Sequence, residues 1–197
     1  MGGTRSVAAR AQFGGYTELQ LAYCKALGHA ILNQPTEARG ALANTERRMS
    51  HDSPFEILRL WSLMKADVHL VLGNDRLAFE TAAEVLQGAP DQDPAVNFEG
   101  LFSRWVALLG DVQSRLTAAL AIVDPIVGRL TSLNALDQAE VLASRVFLKR
   151  RVGLPTLDDE TEMQTRLLRL PGPVADHLVR MRLLADSSGR SGVMLRA

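Results

Sequence analysis

Three short breaks, Asn33-Gln34, Gly73-Asn74 and Gly110-Asp111, interrupt an otherwise helical pattern at intervals of 40 and 37 residues. Between them apolar residues recur every three or four positions, the spacing that lines one face of an α-helix. Leu19, Tyr23, Ala26, Leu27, Ala30 and Ile31 follow that spacing behind Thr17, which reads as an N-cap. Each break separates a longer apolar helix from a shorter alanine-rich one. A hairpin of this size cannot bury its apolar face without a neighbour, so the period specifies stacked helical hairpins. Strand signals do not compete: aromatics are 5%, β-branched runs are absent, and no Asn-Gly or Asp-Gly pair occurs.

The rest of the chain continues in the same way. Pro35 suits the first turn of a helix carrying Ala38, Ala41 and Leu42, and Ser53-Pro54 opens a third helix through Leu72 that is apolar nearly all round. A fourth runs over 76–86, Gly88 to Pro94 forms a loop, and a fifth spans about 95–109, closed by Gly110-Asp111. The sixth, 112–130, contains Pro125, which should kink or divide it. Helices over about 135–152, 158–170 and 174–185 follow, and the Ser/Gly/Arg-rich segment 187–197 reads as a disordered tail. The expected fold is all-α, an α-solenoid of eight to nine helices. One domain covers 1–186, with units near 17–50, 54–90, 95–130 and 135–186.

The unit around Gly73 resembles a tetratricopeptide repeat. Ala66 stands where that family has the small residue of its first helix, Gly73-Asn74 at its turn, Ala78 at the small residue of its second helix, and Pro90 at its closing proline. Ala26, Asn33 and Ala38 repeat part of the pattern. The third unit has Ser103 and Arg115 at the small positions. Trp61 and Met64 each fall one residue off the large apolar positions, and the period exceeds the family's ~34 residues. The likeness covers about residues 17–130. It is to the degenerate helical repeats of bacterial signalling and transcription regulators, and an irregular bundle with coincidental spacing is the alternative.

Lys and Arg total 22, as do Asp and Glu, which removes the simplest case for a nucleic-acid or anionic-membrane binder. The zero hides a gradient of +3 over 1–50, −7 over 51–144 and +4 over 145–197, which suits a partner or second copy docking through complementary patches. No run of 18 apolar residues and no signal-peptide segment occurs, so the expected location is cytoplasmic. Arg outnumbers Lys by 19 to 3, consistent with a GC-rich bacterial source.

Chemistry-bearing residues are sparse. His29 and His69 each lie four residues before a break, where two imidazoles could line one groove, although two ligands alone make a poor metal site. Trp61 and Trp105 lie on the first helices of adjacent units, and an indole can act as an interface hot spot or fill the core. Cys24 reads as a buried structural thiol. Asp158-Asp159-Glu160 complements a helix N-terminus. Lys149-Arg150-Arg151, with Arg145, Arg166, Arg169, Arg180 and Arg182, forms a basic third with only Phe147 available for stacking, which argues for a solvated or subunit-contact face over nucleic acid. No catalytic, cofactor or metal motif is present.

The expectation is therefore a non-enzymatic protein-interaction module that binds a protein or peptide in a groove made by helices near 17–33, 55–72 and 95–109. His29, Trp61, His69 and Trp105 are the candidate contacts, and no cofactor is implied. A homodimer is one form of partner. A small-molecule sensor using His29 and His69, or a chaperone resembling the three-repeat secretion chaperones, are the alternatives. Residues 4–13 resemble the second helix of a preceding hairpin, as if the chain were cut from a longer array.

Overall fold

The structure is a computed structural model in which residues 4–49, 55–87, 99–170 and 172 are described, with side chains from residue 17 onward. Among these residues the fold is all-α, with no strand. The helices are α1 (Thr4–Ile31), α2 (Pro35–Arg48), α3 (Phe55–Val71), α4 (Asp75–Gln87), α5 (Glu99–Val112), α6 (Leu116–Val127), α7 (Ala135–Arg151) and α8 (Leu157–Leu167), with a 3-10 turn at Leu130–Ser132. The expected loop at 88–94, the Ser53-Pro54 cap, Pro90, the helix at 174–185 and the tail at 187–197 lie outside the described residues.

The chain forms two compact units, Met1–Pro90 and Asp91–Ala197. In the first, α1 packs against α2 and α3, and α3 against α4. Leu19, Ala26, Leu42, Leu60, Trp61, Met64 and Val68 make up much of its core. In the second, α7 is central and contacts α5, α6 and α8. Trp105, Val123, Val141, Leu142, Val146 and Leu148 are buried there. Burying one leucine-sized side chain contributes roughly 1.5–3 kcal/mol, so these interiors dominate the stability of each unit.

The inter-helix turns share one backbone solution. Asn33, Gly73, Ser114 and Gly153 adopt φ of 55°, 73°, 55° and 76°, at intervals of 40, 41 and 39 residues. In each case the following N–H reaches back five residues: Gln34 to the His29 carbonyl, Asn74 to His69, Arg115 to Gly110, and Leu154 to Lys149, at 2.7–2.9 Å. This is the Schellman cap, which satisfies the last carbonyls of a helix through one left-handed residue.

The third turn therefore sits at Ser114, not at Gly110-Asp111. Gly110 is buried inside α5, where a methyl group would lie 2.5 Å from the Cβ of Ala119. Its missing side chain serves close helix approach, not termination. The shift also corrects the small positions of that unit. Counting from each left-handed residue, Ala26, Ala66 and Ala107 stand seven before it and Ala38, Ala78 and Ala119 five after. All six are at most 4% exposed. Ser103 and Arg115 do not hold those places.

Two other expectations are corrected. Thr17 is not an N-cap, because α1 is continuous from Thr4 through Gly14-Gly15. The segment 4–13 is thus part of the first helix and not the end of an earlier hairpin. Pro125 does not divide α6, which ends two residues later at Val127. In a final turn the proline forfeits a single backbone hydrogen bond.

Candidate functional site

His29 and His69 occupy equivalent cap positions, yet their side chains have separate surroundings. His29 Nδ1 lies 2.8 Å from Gln34 Oε1. Burial holds the His69 imidazole below its usual 6.5, the neighbouring Lys65 and Arg39 charges add to this, and Glu46 opposes it. Lys65 donates to Glu46 across 2.9 Å. No hydrogen bond joins the two histidines. Trp61 and Trp105 are 4% and 0% exposed, so their rings fill the interiors of their units and offer no surface to a partner. Among the described residues no cluster of His, Cys, Asp or Glu could hold a metal ion.

Cys24, expected in the core, is exposed. Helix α1 is covered on only part of its circumference. Leu19, Ala26 and Ala30 point into the unit, and Tyr23 donates a 2.5 Å hydrogen bond to Asp67 Oδ2 on α3. The opposite side carries Leu21 at 66% exposure, Cys24, Gly28 with nothing within 4 Å of a would-be Cβ, and Ile31 at 47%. Beside this stripe Glu18, Leu21, Ala22 and Lys25 of α1 face Ala41, Asn44, Thr45 and Arg48 of α2 across an open groove of about 270 Å³. An exposed Arg48–Glu18 pair at 3.4 Å spans one end. This face of α1 is the candidate interaction surface. The apolar residues were visible in the sequence, but their outward direction depends on which sides α2 and α3 cover.

The second unit holds polar clusters that sequence reasoning missed. Asn134 caps α7 by accepting from the Leu136 and Asp137 N–H groups, each at 3.0 Å. Asp137, 6% exposed, accepts from the Gly100 N–H at 3.1 Å and from Asn134 Nδ2 at 2.6 Å. Burial pushes its carboxyl up to about 6; the two hydrogen bonds pull the other way, and buried Glu99 adds to the rise. Arg104 pairs with Glu140 at 3.2 Å, and Arg129 lies 3.9 Å from Glu99. The legible signal was Asn134-x-x-Asp137, a helix-start pattern with an acid at the third position.

The basic third is also resolved differently from expectation. Arg145 reaches Asp124 at 2.8 Å and Asp159 at 2.6 Å, while Lys149 reaches the other Asp159 oxygen at 2.7 Å. Arg150 pairs with Glu160 at 2.9 Å, Arg151 with Asp111 at 2.6 Å, and Arg166 with Glu162. These five cations pair with carboxylates of their own unit and do not form a free basic face. Asp159 is 7% exposed and ties α8 to α7, a larger role than complementing a helix end. Arg180 and Arg182 lie outside the described residues.

No helix of the described residues is long and apolar enough to cross a membrane. No protein-family model matches the chain, and the searches of curated proteins and of solved structures return no match.

Proposed function

We propose that the chain is a non-enzymatic protein-interaction module of tetratricopeptide-like hairpins, an adaptor or regulatory element of a bacterial signalling or transcription system, and that it engages its partner along the outward face of α1. The observation carrying this reading is the row Leu21, Cys24, Gly28 and Ile31, apolar or small and turned to solvent beside the α1–α2 groove. Exposing contiguous apolar side chains lowers solubility unless something covers them. Repetition of one capped turn every 39 to 41 residues supports hairpins of common build, the arrangement whose extended surfaces serve binding.

The test is site-specific photo-crosslinking of the full chain in cells that express it. A photoreactive residue replacing Leu21 or Ile31 should yield a discrete protein adduct, whereas one replacing exposed Thr161 on α8 should not. Equal labelling at all three positions, or none at any, refutes the assignment of this face.

A further inference from the structure

We propose that the occupant of this face is a second copy of the chain, docked antiparallel along α1; the proposal rests on the reading of α1 as the interaction surface. Leu21, Cys24, Gly28 and Ile31 are spaced three, four and three residues apart, the stagger of the core positions in a two-helix seam. Leu21 and Ile31 are exposed, Cys24 is exposed, and the space over Gly28 is open, so nothing among the described residues of its own unit covers the seam.

Charge complementarity selects the partner. Glu18 and Lys25 are seven residues apart and therefore lie on the same flank of that seam, one turn either side of Leu21. Both are exposed. When two identical helices pack antiparallel, like flanks face each other. A two-fold axis between residues 22 and 23 sets Leu21 of one copy level with Cys24 of the other, twice, and brings Glu18 of one copy to within two residues, about 3 Å along the helix, of Lys25 of the other, twice, a gap their side chains span. The same axis sets Gly28 opposite Thr17, where the missing side chain lets the helices approach. A parallel pair would set this flank against the one carrying Gln20 and Leu27, leaving both charges without a counterpart. The intramolecular Arg48–Glu18 pair does not forbid the exchange, because both side chains are about two-thirds exposed and exposed pairs are weak. Three helical turns make a contact below the standard interface size, so association is weak and must be sought up to about 500 μM protein.

The experiment is analytical ultracentrifugation of the full 197-residue chain over that range, with far-UV circular dichroism confirming unchanged helicity. A reversible monomer–dimer equilibrium is expected. E18K and K25E, each of which sets two like charges together, should weaken it by about tenfold, and the E18K/K25E double variant should return it to within about threefold of the parent. Raising ionic strength should weaken the parent and the double variant alike. A monomer at every concentration, single variants without effect, or a double variant weaker than either single one overturns the proposal. Crosslinking from position 21 separates the two levels. An adduct joining position 21 to the peptide containing Cys24 of another copy supports self-association. Capture of a different protein instead overturns the second copy while leaving α1 as an interaction face, and no adduct above the Thr161 control overturns both.

Discussion

Gly110 on α5 and Ala119 on α6 meet so closely that a methyl group on the glycine would stand 2.5 Å from the alanine Cβ. Gly110→Ala should therefore destabilise the second unit by about 1–3 kcal/mol, the range for overpacking a close contact. Gly100→Ala should cost more, because its methyl group would fall 2.7 Å from Asp137 Oδ1 and 2.9 Å from the Asp137 Cα, which is backbone and cannot swing away. Gly40 in α2 has nothing within 4 Å, and Gly40→Ala should stabilise by about 0.5–1 kcal/mol through helix propensity alone. Urea midpoints of the three variants provide the ranking, and a neutral Gly100→Ala would contradict the packing described.

Ser114 holds the same left-handed conformation that Gly73 and Gly153 hold, with a side chain that makes it costly. Ser114→Gly should raise stability by about 1 kcal/mol, and Gly73→Ala should lower it by a similar amount. Thermal unfolding measures both. Opposite signs at the two positions are the required outcome.

Asp137 carries a pH signature whose direction follows from its raised carboxyl. The unfolded carboxyl titrates near 3.8 and the folded one near 6. The stabilising contribution of the protonated acid is full below the lower value and is lost as pH rises through the upper one. Across that window the parent should lose about 3 kcal/mol relative to Asp137→Asn. Chemical denaturation at pH 3.5, 5 and 7 reads the slope difference, which is independent of any constant cost from losing the Asn134 hydrogen bond. Parallel pH profiles would dismiss the assignment.

Asp159 neutralises two cations of α7 at once, through Arg145 at 2.6 Å and Lys149 at 2.7 Å. Asp159→Asn removes the charge while leaving both cations in place. A destabilisation of about 2 kcal/mol is expected, below the fully buried range because both cations are about one-fifth exposed. Adding Lys149→Met should recover part of it by removing one unpaired charge. Equilibrium unfolding in guanidinium-free urea is the measurement, since an ionic denaturant would screen the effect.

The all-helical class and most helix bounds were legible because apolar spacing and turn residues act locally. Asn33 and Gly73 announce their turns, and both turns fall there. Gly110 misled for a physical reason: a glycine marks either a left-handed cap or a close approach between helices, and only the neighbour, Ala119, decides which. The true third turn was hidden in Ser114, a residue with no strong preference for that conformation. Cys24 shows the same limit in the candidate surface. Its place on an apolar helix was plain, but the side facing solvent is set by where α2 and α3 pack, which spacing along one helix does not encode. Asp159 looked like a helix-start acid because its partners lie 10 and 14 residues earlier on another helix.

The Tyr23–Asp67 hydrogen bond spans 44 residues and joins the first hairpin to the second. A hairpin that touched its neighbour only through side-chain packing could fray alone. Here the two hairpins also share a hydrogen bond to a carboxylate that is 0% exposed, and opening α1 breaks it, which couples their opening. Amide exchange should accordingly report one shared opening free energy across α1 to α4, and Tyr23→Phe should split it into two, converting a single cooperative block into two that melt in sequence.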